Sequence, residues 1–214
     1  MAKLTADRIL DGAVALADEI GIDALTIRRL ANALDTKPMT IYHHLPNKDA
    51  IIGGMVNRVF EEIELPTVDT AWREAMTRRS GSMRAVLGRH PWATSLLDSR
   101  TNTGHAGLRH HDTRIGCLRN AGFTMSMIGH TLAVLDSYVY GFALQEVALP
   151  ATSGDEIAEL AQQMVNQSDA GEYPNLMQFA TEQVMSGNYD FADEFDYGLN
   201  LILDGLEARA KLGG

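Results

Sequence analysis

Apolar residues recur at three- and four-residue spacings along almost the whole chain, and the two-residue alternation of a half-buried strand is absent. That pattern admits helices and little else. Ile9, Ala13, Leu16, Ala17 and Ile20 form a first stripe, opened by Thr5 as N-cap and ended by Gly21. Ile27, Leu30, Ala31 and Leu34 form a second, shorter stripe behind Thr26. Pro38 opens a third, because a proline's missing N–H is unpaired at a first helical position anyway. Ile41 and Leu45 are its apolar anchors, and Pro46-Asn47 closes it. Ile51, Ile52, Met55, Val56, Val59, Phe60 and Ile63 mark a fourth helix that stops at Pro66.

Beyond Pro66 the spacing predicts a helix over 72–89 stopped by Pro91, a short helix at 92–98, and a polar loop at 99–104. A helix ending near Gly122 follows. Phe123-Thr124 reads as a staple residue and N-cap for the longest helix, which Pro150 ends. Ser153 with Glu156 reads as a capping box, 168–174 and 186–188 as loops, and 190–211 as the last helix. The expected fold is all-α. A three-helix helix-turn-helix unit at 1–46 and a connecting helix at 47–66 lead into a larger helical effector-binding and dimerisation body at 67–214.

The formal charge is −10, yet residues 25–50 carry Arg28, Arg29, Lys37 and Lys48 against Asp35 and Asp49, a balance of +2 that leaves −12 elsewhere. A small basic patch on an acidic body suits a polyanion bound at one place. A single cysteine, Cys117, excludes an intrachain disulfide and a cysteine zinc cluster. The N-terminus lacks a signal-peptide core, and no run reaches the roughly 18 apolar residues of a membrane span, so a cytoplasmic protein without membrane contact is expected.

The third helix is too polar to be a core element. A helix-turn-helix lays its second helix in the DNA major groove. Lys37, Pro38, Met39, Thr40 and His43 then face base edges, the methyls of Met39 and Thr40 suiting a thymine methyl. Thr26 and Arg28, with Tyr42, His44 and Lys48, reach phosphates. Structural roles for Tyr42 and His44 in a small helical domain remain the alternative.

The string Leu25-Thr26, Arg28, Leu30-Ala31, Leu34, Thr40-Ile41-Tyr42, His44, Lys48 resembles the DNA-binding domain of the TetR family of bacterial repressors. Trp72-Arg73, Arg89-His90-Pro91-Trp92, Gly141-Phe142, Gly198-Leu199 and Leu203-Asp204-Gly205-Leu206-Glu207 resemble the regulatory domain of its tetracycline-repressor branch. The resemblance implies an all-helical homodimer that binds a palindromic double-stranded operator and releases it to a small-molecule effector. Where tetracycline-binding members carry a histidine ahead of Gly-Phe, this chain carries Ser137, a departure that argues against a tetracycline–magnesium effector.

The long helix over 124–149 is apolar almost all round, as a helix buried on two faces is. Ile128, Leu132, Leu135 and Val139, with Gly198, Leu199, Ile202, Gly205 and Leu206 of the last helix, are the dimer-interface candidates. The alternative packs both helices into a monomer core. Trp92, Leu96, Arg100, His105, Leu108, His111, Tyr138, Phe142 and Gln145 mix apolar and polar groups as ligand cavities do, and are the effector-binding candidates. His105, His110, His111 and Asp112 invite a metal reading, but adjacent helical residues point about 100° apart, and no HExxH spacing exists. No metal or other cofactor is expected. No nucleophile–base pair or phosphate loop stands at recognisable spacing, so no catalytic residue is named. The function expected is a ligand-responsive transcriptional repressor. An activator on the same fold, or a helical interaction protein, is the alternative.

Overall fold

The computed structural model describes residues 3–97, 104–150, 154–167, 172–186 and 189–212. Among these residues the regular structure is wholly helical. The first helix, α1 (Ala6–Ile20), is capped by the Thr5 hydroxyl, which accepts from Arg8 N at 3.2 Å. It ends at Gly21, whose φ of 78° only glycine adopts readily. Next come α2 (Ile27–Ala33), capped by Thr26, and α3 (Pro38–Tyr42), with Pro38 in its first turn. The connecting helix α4 (Lys48–Glu62) is capped by Asn47, whose Oδ1 accepts from Ala50 N at 2.7 Å.

The body consists of α5 (Trp72–Arg89), α6 (Thr94–Leu97), α7 (Gly104–Asn120), α8 (Met125–Ala148), α9 (Gly154–Gln167), α10 (Pro174–Glu182) and α11 (Glu194–Leu212). A 3-10 turn at Pro91–Ala93 joins α5 to α6, so the short helix expected at 92–98 is split: Pro91 has no N–H to continue α5. The spacing had shown no helix at 174–182. Pro174 opens one there, and Met177 and Ala180 are its buried side. The loop expected at 99–104, Arg100 and the capping residue Ser153 lie wholly or mostly outside the described residues.

One apolar core runs through both parts of the chain. Ile9, Ala13, Leu30, Ala31 and Ile41 are continuous with Ile51, Met55 and Val59 of α4, and these with Met76, Met83, Leu118, Leu135 and Val139 of the body. α4 packs on α1 and on α7. Its Arg58 pairs with Asp7 and Asp11 of α1, while its Asn57 Oδ1 accepts from Ala106 N at 2.9 Å. Packing of the long α8 on α5 and α11 completes the body.

Candidate functional sites

The α2–α3 connection starts from Leu25, Leu30 and Ala31, all buried against α1. The chain then turns at Asp35, which sits at φ 48° in the left-handed region. Thr36 N donates to Ala31 O at 2.9 Å, which closes α2 and aims α3 outward. Within α3 only Ile41 is buried. Met39 is 66% exposed and Tyr42 37%. Lys37, Pro38, His43, His44 and Lys48 are also exposed, and Thr40 is half-buried. Arg28 is exposed on α2, whereas neighbouring Arg29 turns back to donate to Ala24 O at 3.2 Å. The Thr26 hydroxyl accepts from Arg29 N at 3.2 Å and lies at the surface. The ten residues singled out for nucleic acid therefore occupy one stretch of surface around α3 and the helix starts beside it. Lysine, arginine, imidazole, hydroxyl and phenol donors stand there, with no acidic side chain between Thr36 and Lys48.

A polar cluster ties this reader to the body. Asp18 of α1 accepts from Trp92 Nε1 at 2.6 Å and stands 2.8 Å from His90 Nδ1. His90 Nε2 faces Glu62 of α4 at 3.2 Å, and Glu62 also accepts from Arg89 at 2.8 Å. The neighbouring Arg89 and His90 hold the Glu62 carboxyl below its usual range against the opposing effect of burial. Trp92 and His90 are each only 7% exposed.

A cavity of about 750 Å³ opens between α6, α7 and α8. Leu97, His111 and Ile115 line one side; Leu132, Asp136 and Tyr140 of α8 line the other. Between them Gly129, Ala133 and Ser137 recur at four-residue steps and leave α8 smooth. Behind Asp136 lie two buried guanidiniums. Arg114 donates from one terminal nitrogen to Asp136 Oδ2 at 3.0 Å, its other terminal nitrogen lies 2.8 Å from Oδ1 without a hydrogen bond, and Arg79 stands 3.6 Å away. Burial, then the charge of Arg114, pushes Arg79 down to about 9, so it is still charged at neutral pH. His110 donates from Nε2 to Phe60 O at 2.9 Å; burial, then the charge of Arg79, pushes it down to about 4.

Of the effector candidates, His111 lines this cavity. Trp92 is engaged with Asp18, and Leu96 packs half-buried beside Leu97. His105, Leu108 and Gln145 are exposed. Tyr138 and Phe142 turn toward α11: the Tyr138 hydroxyl donates to the Glu194 and Phe195 carbonyls, and Phe142 stacks on Phe191 at 4.7 Å. Arg79, Arg114 and Asp136 were not singled out from the sequence. The signal was there, since Arg79 falls in step with Ala75, Met76 and Met83, where a core residue is expected. Among the described residues no three His, Cys, Asp or Glu side chains gather as a metal site.

The interface candidates divide in the same way. Ile128, Leu135, Val139 and Leu199 are buried within the single chain, Leu132 faces the cavity, and Gly198 lies under the Tyr138 ring. Ile202, Gly205 and Leu206 border an open apolar groove together with Met127, Val134 and Leu201. Val134 is 44% exposed, Leu201 57% and Tyr197 67%. No described helix is long and apolar enough to cross a membrane.

Comparison with known proteins gives two family matches. Residues 9–55 match the model of bacterial regulatory proteins of the tetR family, and residues 65–210 match the tetracyclin repressor-like C-terminal domain. The HTH-type transcriptional repressor DrrR1 of Streptomyces coeruleorubidus is 30% identical over 95% of this chain and 77% of its own length. Apo ActR of Streptomyces coelicolor superposes with a TM-score of 0.79 at 26% identity, covering 100% of both chains. ActR in complex with actinorhodin gives a TM-score of 0.77 at 28% identity, covering 98% of this chain and 99% of that one.

Proposed function

This chain belongs to the tetR family of bacterial regulatory proteins, and from that premise we propose how its own residues make it a ligand-responsive, DNA-binding transcriptional repressor. The observation that carries the reading is the α3 surface. Ile41 alone is buried in the core, Thr40 is half-buried, and the exposed Pro38, Met39 and Tyr42 are left for a partner. In the major groove Lys37, Pro38, Met39, Thr40 and His43 meet base edges. Thr26, Arg28, Tyr42, His44 and Lys48 hold phosphates, fixing register without reading sequence. The reader spans 1–46, the connecting segment that contains α4 47–66, and the body 67–214. Operator DNA places the protein's work in the bacterial cytoplasm.

The outward faces of α8 and α11 supply the dimer contact. Val134, Leu201 and Ile202 are apolar, and at Gly205 an added side chain would meet nothing within one chain. A two-fold axis there sets the two α3 helices toward half-sites about 34–36 Å apart. The effector enters the cavity beside α7 and favours a dimer whose half-site spacing no longer fits, a shift of population between two states. α4 is the lever, because α7 holds it through Asn57 and the Phe60 carbonyl while it carries α1 through Arg58. Members of this family act as regulators rather than enzymes, and the mechanism asks no bond-making of any residue here.

The test is a gel shift on an operator selected from random duplex DNA. Tyr42→Ala and Lys48→Ala each weaken binding roughly tenfold, on the order of one charge-assisted hydrogen bond, while the dimer persists in sizing experiments. Wild-type affinity in both variants would contradict the reader assignment.

A further inference from the structure

Among the described residues, the charges behind the body cavity do not balance. Two guanidiniums, Arg79 and Arg114, face one carboxylate, Asp136. Arg79 is 3% exposed and Arg114 1%, so water neutralises neither. Arg114 is the nearer partner of Asp136: it donates to Oδ2 at 3.0 Å, and its other terminal nitrogen lies 2.8 Å from Oδ1 as an ion pair without a hydrogen bond. Arg79 stands 3.6 Å from the nearest of these oxygens, beyond hydrogen-bond reach, and its Nε makes no hydrogen bond. His110, pushed down to about 4, is neutral at pH 7 and adds nothing to either side of the balance. Among the described residues, one positive charge is therefore left over in a buried interior, where charge interactions are strong and poorly screened. It sits against the wall of a cavity of about 750 Å³. On that wall Ser137 and Tyr140 bring hydroxyls, and Gly129 and Ala133 leave α8 smooth.

Resting on the effector reading above, we infer that the ligand of this cavity is an organic anion: an apolar, flat body carrying a carboxylate or a comparably acidic group beside Asp136 and Tyr140, with the surplus charge of Arg79 as its counter-ion. Arg79 acts through the field rather than by contact. The smooth strip of α8 takes the ring face, and Leu97, Ile115 and Leu132 enclose the apolar body. A cationic ligand pairing directly with Asp136 is disfavoured, because it would raise an already positive interior to a greater excess.

Isothermal titration of the full chain with 1-naphthoate, 1-naphthamide and 1-naphthylmethylamine tests this. The three share one ring body and differ in charge. The acid binds at least tenfold more tightly than the amide, and the amine more weakly than both. Arg79→Met removes the charge at similar volume and brings acid and amide level, whereas Arg79→Lys keeps the preference and controls for folding. Equal or tighter binding of the amide or amine, no saturable binding of the acid, or an acid preference that survives Arg79→Met overturns the inference. The operator gel shift is run beside it. Acid binding that leaves operator affinity unchanged sinks the effector reading and leaves the anion site standing, so the two failures are distinguishable.

Discussion

Replacing Asp18 by alanine removes the acceptor that joins the reader to the body. In the native chain that carboxylate accepts from Trp92 Nε1 at 2.6 Å and faces His90 Nδ1 at 2.8 Å, and both donors are 7% exposed. Two hydrogen bonds to an ionised group, each contributing about 1.5 kcal/mol, set a ceiling of about 3 kcal/mol. The Asp18 side chain is itself 30% exposed, so water reaches part of the vacated site and reduces the loss to about 2 kcal/mol. For a chain of this length that lowers the melting temperature by roughly 4–8 °C. Asp18→Asn keeps one acceptor for the indole N–H and loses about half as much. Urea titrations and thermal melts of the two variants provide the measurement. A change under about 0.5 kcal/mol in Asp18→Ala would refute the reasoning, because two buried donors cannot lose their partner at so small a cost. A loss equal in both variants would also refute it, since it would assign the effect to charge alone.

Two further expectations follow from buried groups. His110 has a depressed folded-state pKa, so the unfolded chain takes the proton first as pH falls. Stability is intact above the ordinary imidazole value of 6.5, declines below it, and has lost its full share, about 3 kcal/mol, near pH 4. His110→Gln flattens that window in urea titrations at stepped pH; an unchanged slope contradicts the assignment. Gly198→Ala sets a β-carbon against the Tyr138 hydroxyl, which is tethered to the Glu194 and Phe195 carbonyls. It should destabilise by roughly 2 kcal/mol, partly relieved by Tyr138→Phe in the same chain, and unaltered stability in the single variant would be the contrary result.

Much of this architecture is written in local chemistry. Thr5, Thr26, Asn47 and Thr124 cap four helices because short oxygen-bearing side chains satisfy free N–H groups at helix starts, a relation confined to three residues. The α3 surface was legible for the same reason: Ile41 and Leu45 are its only apolar anchors, so periodicity alone turns the rest outward. The cavity was not legible in this way. α8 is apolar on several sides, and periodicity cannot say which side meets α11, which lines a cavity and which faces outward. The sequence-based choice placed Tyr138 and Phe142 with the effector. The aromatic contacts of Phe191 and Phe195 instead rotate that side toward α11 and bring Asp136, Ser137 and Tyr140 to the cavity. Gly198 and Gly205, seven residues apart, looked equivalent in sequence. Tyr138 covers the first, while the second borders the open groove.

The central claim is that α3 reads operator DNA as one half of a symmetric pair. Selection of bound duplexes from a random pool by the purified full chain tests it most directly. A palindrome whose half-sites lie about one helical turn apart, bound by two chains and lost in Tyr42→Ala, is the result expected. Recovery of no palindrome, or of one that Tyr42→Ala and Lys48→Ala bind as tightly as the unaltered chain, would contradict it.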